Sequence, residues 1–330
     1  MVIVIKRLLL IGLLSMLLLA FVGNLESMAL DYPTQPIKFI VPYSAGGGND
    51  LVARVLASFG QEYFGTGIQV IDMPGASGTV GGQFVAQSKP DGYTLLINTD
   101  IGLSAPPMIA GLPYDAFDFT GIVTFSSSDY VWCVKADAPW DSFSELIEYA
   151  RENPGKISYG STGAGGAVHI ATAAFLTQEG IEMIHVPFDG AAPALAAVAG
   201  GHIDLIGPSV TSVVPVVKAG QVRPLASSGL VRTSDLPDTP TVIEEGYNYS
   251  FLTGRVIVAP KGTPQEIIDF LEEKFLEVFK DKAFLALIQR VGEKVKDGEL
   301  LGIKGSEEIT EYLHATLYEN LKSVVGTITQ

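Results

Sequence analysis

A glycine-rich loop at residues 42–50 constrains this chain more than any other feature of its sequence. The loop, Pro-Tyr-Ser-Ala-Gly-Gly-Gly-Asn-Asp, follows the apolar run 37–41 and precedes the helical pattern 51–56. A strand, a glycine loop and a helix start, in that order, leave backbone N–H groups free at the positive end of a helix dipole. The sequence therefore predicts an anion-binding loop at this position.

A similar loop occurs in the second half of the chain. Strand-like residues 156–160 lead into the loop Ser161–Gly166, and a helical pattern follows from 167 to 178. Ser161 and Thr162 place hydroxyl groups beside the N–H groups of that helix start. The two halves share the order strand, glycine loop, helix, strand, without an exact sequence repeat. We therefore expect an α/β protein with largely parallel sheets.

The length of the chain indicates the number of its domains, and its N-terminal residues indicate where the protein is located. A chain of 330 residues favours two domains over a large single one. Lys6 and Arg7 precede the apolar run 8–22, and Ser27-Met28-Ala29 has the small residues of a signal-peptidase site. This pattern predicts a secretory signal over residues 1–29 and an exported, extracytoplasmic protein. The alternative is a retained membrane anchor, although the apolar run is short for a spanning helix.

The charge balance limits the classes of partner. The formal net charge is −15, which argues against nucleic acid and against anionic membrane surfaces. It permits an anionic ligand, because local N–H groups outweigh a screened global field over a few ångströms. The single cysteine, Cys133, lies in an apolar strand-like run and is expected to be a core residue rather than a reactive thiol.

Candidate ligand-binding residues lie on the two loops, together with Arg255. They are Tyr43, Ser44, Ala45, Gly46, Gly47, Gly48, Asn49, Asp50, Ser161, Thr162, Gly163, Ala164, Gly165, His169 and Arg255. Tyr43 and Ser44 either line the mouth of the first loop or form a surface turn. Asp50 is predicted to be the N-cap of the following helix, with a direct ligand contact as the alternative.

Two further candidates have alternatives of equal interest. His169, one turn into its helix, faces either the ligand or the core. Arg255 lies in the apolar strand 254–258, where a cation needs a partner. That partner is either a structural carboxylate or a ligand carboxylate held by the bidentate fork of the guanidinium.

The stretch Gly75–Gly81 is the one sign of a possible enzyme. It matches the G-x-x-G-x-x-G loop of extended short-chain dehydrogenases and follows a strand. It comes late for such a fingerprint, and the one Tyr-x-x-x-Lys spacing, Tyr318 with Lys322, is near the C-terminus. Close backbone approach or a helix start explains these glycines better, and an NAD(P)-dependent reductase remains the competing interpretation.

Other signatures of catalysis are missing from the sequence. It has no G-x-S-x-G, H-E-x-x-H or P-loop motif, and its four histidines have no metal-ligand spacing. We therefore expect a protein without catalytic residues, cofactor or bound metal.

A series of short blocks resembles the tripartite tricarboxylate transporter substrate-binding proteins, also called the Bug family. No block is decisive singly, but their order and spacing are specific, and they cover nearly the whole chain after the signal. The blocks are Tyr32–Ile37, Pro42–Asp50, Pro74–Thr79, Pro90–Leu95, Tyr159–Ser161 with His169, His185–Leu195, Gly201 with Asp204, Leu236–Thr241 and Ala259–Pro264.

The resemblance implies a two-lobed periplasmic-binding-protein fold, of the Venus-flytrap type II kind, that closes on a small organic carboxylate. The first lobe would hold residues 31–132 and 252–330, and the second would hold 133–251. The receptor would be a monomer that delivers a di- or tricarboxylate, or a related acid, to integral membrane transporter subunits. A ligand sensor that signals to a membrane kinase would share this fold and differ in its partner.

Two positions depart from the family pattern. This chain has Asp72-Met73 where many members have Asn-Arg, and it has Asp189 where many have Lys or Arg. If these positions approach the cleft, the ligand carries fewer negative charges than citrate, or it includes an amine. If they lie on the surface, they say nothing about the ligand.

Overall fold

The computed structural model describes residues 30–296, 299–317 and 321. The predicted signal, residues 1–29, lies outside the described residues, as do Tyr318 and Lys322. The chain from Gln35 onward forms one compact unit, and the residues before it belong to a separate one.

The strands of this unit are short and largely buried. In chain order they are β1 Ile37–Val41, β2 Ile68–Asp72, β3 Thr94–Thr99, β4 Phe119–Asp129, β5 Val131–Lys135, β6 Ser158–Ser161, β7 Ile184–Pro187, β8 Leu205–Ile206, β9 Val222–Ser227, β10 Leu252–Pro260, β11 Val295–Lys296 and β12 Glu299–Leu300.

The described helices alternate with most of these strands. In chain order they are α1 Gly48–Ala57, α2 Gly60–Phe64, α3 Thr79–Ala86, α4 Asp100–Ala110, α5 Phe143–Glu152, α6 Ala167–Glu179, α7 Ala191–Ala199, α8 Val210–Lys218, α9 Gln265–Val278, α10 Lys282–Arg290 and α11 Ser306–Glu311. Two 3₁₀ turns lie at Ala76–Gly78 and Ala116–Asp118, and a π-helical turn follows α11 at Tyr312–Leu317.

Ten of the strands form two sheets of the same design. The first sheet has the order β2-β1-β3-β10-β4 and the second has the order β7-β6-β8-β5-β9. In the first sheet β1 pairs in parallel with β2 and β3, and β10 is antiparallel to both of its neighbours. In the second sheet β6 pairs in parallel with β7 and β8, and β5 is antiparallel to its neighbours. The predicted α/β fold with largely parallel sheets is confirmed, and each sheet carries one reversed strand.

The chain passes between the sheets at two places. Strand β4 ends at Asp129 in the first sheet, and β5 begins at Val131 in the second. The chain returns between β9, which ends at Ser227, and β10, which begins at Leu252. Because parallel strands end at the same edge of a sheet, the loops that follow β1, β3, β6 and β8 meet where the two sheets face each other.

Both sheets have apolar cores of aromatic and branched side chains. In the second sheet Trp132 packs on Phe143 and Phe175, with ring centroids 5.5 and 5.9 Å apart. Cys133, next to this tryptophan, is fully buried, and burial raises the pKa of its thiol well above the usual range. The prediction of a core cysteine is confirmed. The cores hold the strand ends rigid, which fixes the loops at the facing edges.

Candidate functional site

The N-cap of helix α1 lies three residues before Asp50, the residue that was predicted for that position. The N-cap position is Gly47, in an extended conformation and without a side-chain cap. The prediction that Asp50 is the N-cap is therefore wrong, because the run of glycines lets the backbone enter the helix before a capping side chain is reached. Asp50 instead accepts the N–H of Gly46 at 2.7 Å and pairs through Oδ1 with Nε of Arg54 at 2.7 Å.

Several N–H groups of this loop already have partners in the protein. Ser44 donates its N–H and its hydroxyl to the carbonyl of Asp189, at 3.0 and 2.9 Å. Gly48 donates its N–H to Oγ of Ser212 at 2.8 Å. Asp189 and Ser212 belong to the part of the chain that carries the second sheet, so these bonds join the two halves of the molecule. The loop therefore offers fewer free donors to a ligand than the sequence suggested.

The second glycine loop is held from beneath by histidines. Oγ of Ser161 lies 2.6 Å from Nε2 of His185, and the N–H of Gly165 donates to Nδ1 of His169 at 3.0 Å. The two imidazoles stack with centroids 4.0 Å apart. Burial, followed by the neighbouring His169, lowers the pKa of His185 to about 4, and burial also lowers the pKa of His169. Both rings are therefore neutral near pH 7 and support the loop.

A small cavity lies where the two sheets face each other, and we call it the inner cavity. Its volume is about 50 Å³. Its lining residues are Tyr43, Gly47, Gly48, Asn49, Thr99, Tyr130, Thr162, Ala167, Val168, Ala191, Ser209, Ser212 and Arg255. Both sheets contribute to it, and six of the sequence candidates are among its lining residues.

The beginnings of five helices converge on the inner cavity. Gly48 and Asn49 open α1, Thr99 precedes α4, and Ala167, Ala191 and Ser209 mark the starts of α6, α7 and α8. Each helix start carries a partial positive charge of about 0.5. At the starts of α1 and α4 some N–H groups already have partners, since Gly48 donates to Ser212, Ile101 to Asp100 and Gly102 to Thr99. Three of the five helices belong to the second-sheet half, and each lies at the carboxyl end of a strand. The cavity is therefore a place of positive potential made mainly by backbone groups.

Arg255 reaches the inner cavity from the reversed strand β10. Its guanidinium is fully buried and pairs with Glu293, whose Oε1 lies 2.7 Å from both Nε and Nη2. It also donates to Oδ1 of Asn49, and from Nη2 to Oγ1 of Thr211 at 3.1 Å. Of the two partners expected for this cation, the structure supplies the structural carboxylate. The guanidinium also lines the cavity, with most of its donors already engaged.

A larger opening lies at the rim of the facing edges, and we call it the outer recess. Its volume is about 610 Å³. Its lining residues are Ser44, Ala76, Ser77, Gly163, Ala164, Pro187, Phe188, Asp189 and Pro193. The remaining sequence candidates line neither the inner cavity nor the outer recess: Ala45, Gly46, Asp50, Ser161, Gly165 and His169.

The two acidic departures have different surroundings. Asp72 accepts a bond from Arg54 at 2.9 Å, beside the loop carboxylate of Asp50. Burial, followed by the charge of Asp50, raises its pKa. Asp189 is exposed and lines the outer recess. Of the two positions, Asp189 is the one that lies at the opening.

Sequence reasoning missed several lining residues of the inner cavity. Ser209 and Ser212 follow the short strand β8, and Thr99 follows β3. The signal was available, because each stretch repeats the order of strand, polar turn and helix start. These turns lack the glycine run that marks the two predicted loops, and for that reason they were not predicted as part of the site. Glu293 had no sequence signal as the partner of Arg255, because it lies in a short loop near α10, far along the chain.

The glycines of 75–81 are explained by close packing. Added Cβ atoms on Gly78 and Gly81 would come within 3.2 Å of the Tyr43 ring and 3.0 Å of the Pro42 backbone. The stretch follows β2, an edge strand of the first sheet, and Ala76 and Ser77 have positive φ angles of 45° and 62°. The interpretation as a close backbone approach is confirmed, and these glycines shape the wall behind the first loop.

Comparison with known proteins identifies the family. The sequence profile of the tripartite tricarboxylate transporter family receptor, TctC, matches residues 52–299. A UPF0065 protein from the tcbD–tcbE intergenic region of Pseudomonas sp. strain P51 is 31% identical over 270 residues, which covers 81% of this chain and 80% of that protein. The chain belongs to the TctC receptor family, as its sequence blocks indicated.

Solved structures agree with this assignment. The periplasmic binding protein BugD superposes with a TM-score of 0.79 at 28% identity, over 90% of this chain and 96% of BugD. Rpa4515 of R. palustris, solved with adipate, gives the same TM-score and identity over 90% of this chain and 99% of its own. The predicted periplasmic-binding-protein fold is thus confirmed. The comparisons give no support to a reductase, since these proteins are solute receptors.

Two kinds of feature are absent from the described part of the chain. No helix there is both long and apolar enough to cross a membrane. No group of three or more His, Cys, Asp or Glu side chains among the same residues is arranged to hold a metal ion.

Proposed function

We propose that this chain is an exported receptor that binds a small organic carboxylate in the inner cavity and delivers it to the membrane subunits of a tripartite tricarboxylate transporter. The family assignment supports the receptor role, and adipate bound to Rpa4515 supports the class of ligand. The proposed lobes are residues 31–132 with 252–330, and residues 133–251, and the proposed active form is a monomer.

The convergence of five helix starts on one cavity is the observation that carries this proposal. Backbone N–H groups at helix starts bind carboxylates well, because the donors are fixed and the dipoles favour negative charge. Thr162 and Ser209, which also line the cavity, carry hydroxyl groups that can supply further donors. The described lining residues of the cavity include no Asp, Glu, His or Cys, which suits binding and release of an unchanged ligand.

Bonds across the facing edges support a closing motion. Ser44 bonds to Asp189 and Gly48 bonds to Ser212, each across the two halves. A ligand whose carboxylate accepts bonds from helix starts of both halves favours the closed form over an open one. Release at the transporter would reverse this closure.

Isothermal titration calorimetry with the purified chain tests the proposal. At least one mono-, di- or tricarboxylate in a panel is expected to bind with a Kd in the micromolar range or tighter, and NADH is expected not to bind. Binding of NADH with no response to any carboxylate would overturn the proposal. Mass spectrometry of the ligand retained through native purification identifies the natural acid.

Export has its own test. Expressed with its full N-terminus in a Gram-negative host, the chain is expected in the periplasmic fraction with Leu30 as its first residue. Intact-mass measurement of that fraction checks the cleavage. A full-length chain in the membrane fraction would favour the retained anchor.

A further inference from the structure

We infer that the ligand is a short carboxylate with a single negative charge, and that the inner cavity and the outer recess both disfavour a second one. This inference rests on the proposed function, because it concerns the same site. Four observations carry it: the size of the inner cavity, the pairing of the one cation among its described lining residues, the uneven charge of the helix starts, and the charge at the outer recess.

The size of the inner cavity limits the ligand. A volume of about 50 Å³ corresponds to roughly three to five water-sized groups, since about 10–15 Å³ on this scale holds one. A carboxylate with one or two further carbon atoms has this size. A longer chain needs space beyond this cavity, and we place its far end in the outer recess.

The charged groups of the inner cavity are already balanced. Arg255 is the one charged side chain among its described lining residues, and Glu293 neutralises it at 2.7 Å from two of its nitrogens. The fork that would hold a second carboxylate is thus engaged by Glu293, Asn49 and Thr211. Arg255 helps to shape the site but does not add a net positive charge to it.

The five helix starts at the inner cavity differ in whether their first turn contains an acidic residue. Helices α1 and α4 carry their own carboxylates in the first turn, Asp50 and Asp100. Helices α6, α7 and α8 carry no acidic residue there. The helix starts that have no carboxylate of their own therefore all lie on the second-sheet half. Each contributes a partial positive charge of about 0.5, and together these charges suffice to balance one ligand carboxylate. We place the ligand carboxylate against Thr162, Ala191 and Ser209.

The outer recess disfavours a second carboxylate. Asp189 is the only charged side chain among its described lining residues. A dicarboxylate long enough to reach the recess would bring a second negative charge toward this aspartate without a cation to compensate it. An uncharged end meets no such penalty.

Matched pairs of acids with the same number of carbon atoms test the inference by calorimetry. The pairs are propionate with malonate, lactate with tartronate, butyrate with succinate, and hexanoate with adipate. We expect the monocarboxylate of at least one of the three short pairs to bind at least about tenfold more tightly than its partner, and hexanoate to bind more weakly than butyrate. Equal or tighter binding of the dicarboxylate in every pair would overturn the inference and leave the proposed function standing. No binding by any of these acids would overturn the inference, and no binding by the wider panel of mono-, di- and tricarboxylates would overturn the proposed function as well.

Variants at the outer recess give a second test. Asp189→Asn is expected to raise the affinity for adipate by about threefold, because it removes a like charge near the second carboxylate, and to leave propionate or butyrate unchanged. Asp137→Asn is the matched control, since Asp137 is exposed, pairs with Lys135 and lines neither the inner cavity nor the outer recess. The same change in both variants, or no change in Asp189→Asn, would overturn the role assigned to the outer recess.

Discussion

At Gly48 the first loop contacts the second half of the molecule. Its N–H donates to Ser212, and a Cβ added here would lie 2.7 Å from Oγ of Ser209 and 3.0 Å from Nη2 of Arg255. Since real Cβ atoms are essentially never found as close as 2.7 Å to such an atom, a side chain at position 48 requires Ser209 to shift and crowds Arg255.

Gly48→Ala is expected to weaken ligand binding by at least about tenfold, because the added methyl group pushes Ser209 and Arg255 away from the inner cavity. Thermal stability is expected to change little, since alanine favours a helix by about 1 kcal/mol relative to glycine. Calorimetry and thermal unfolding separate the two effects. Gly67→Ala is the control, because nothing lies within 4 Å of its added Cβ. An unchanged Kd in Gly48→Ala would show that Gly48 does not limit closure.

Arg255 and Glu293 form a buried ion pair whose side chains are 2% and 0% exposed. Removing one member leaves an unpaired buried charge, whereas removing both leaves none. Arg255→Met is therefore expected to destabilise the fold by about 3–5 kcal/mol. The double variant Arg255→Met with Glu293→Met is expected to lose less than the single variant. Urea unfolding of wild type, both single variants and the double variant measures the coupling, and a purely additive loss would contradict this account.

At the scale of secondary-structure elements, the second glycine loop is supported by two histidine side chains. The imidazoles of His169 and His185 bond to Gly165 and Ser161 and stack on each other, with Tyr159 stacked on His185 at 5.1 Å. The strand β6, the loop and the helix α6 are thus joined by two neutral rings. Protonation of either ring puts a charge in a partly buried stack beside another imidazole.

This stack makes stability depend on pH in a defined window. The folded pKa of His185 is about 4, below the ordinary value of about 6.5. Its contribution is therefore present above pH 6.5 and is lost as the pH falls from 6.5 toward 4. His185→Gln is expected to lose less free energy of unfolding than wild type over this range, as measured by urea unfolding at several pH values. His202→Gln, at an exposed histidine, is the control and should follow wild type.

Burial also changes the pKa of a carboxyl group at the start of helix α4. Its first residue, Asp100, accepts N–H groups from Ile101 and from Gly254 of β10, and the hydroxyl of Tyr312. Burial raises the pKa of Asp100 to about 6. The carboxylate thus ties α4 to the reversed strand and to the π-helical turn, and it occupies a helix start that would otherwise face the ligand.

At the scale of the whole molecule, three groups of bonds join the two halves around the inner cavity. Ser44 with Asp189 closes the rim, Gly48 with Ser212 lies at the cavity, and Thr211 with Glu293 lies behind it at 2.6 Å. These bonds hold the two halves together on three sides of the cavity, and under the proposed function a ligand would add bonds to both halves.

Ligand is expected to lower the radius of gyration, because it shifts an equilibrium between open and closed forms toward the closed one. Small-angle X-ray scattering of the wild-type chain, with and without a saturating carboxylate identified by calorimetry, measures the change. Gly48→Ala is expected to show a smaller decrease at the same ligand concentration. A wild-type radius that does not change on ligand binding would contradict closure as the response.

The sequence by itself determined the strand–loop–helix order, both glycine loops, the α/β class, the family blocks and the core position of Cys133. These features follow from local patterns, since periodicity, glycine runs and apolar strands can be recognised within short stretches of sequence. The tertiary structure alone decided that Glu293 neutralises Arg255, that Ser209 and Ser212 face the first loop, and that His169 supports its loop from beneath. It also decided that the N-cap of α1 is Gly47 rather than Asp50. Such features depend on distances between residues that are remote in the chain, and a single sequence carries no direct record of those distances.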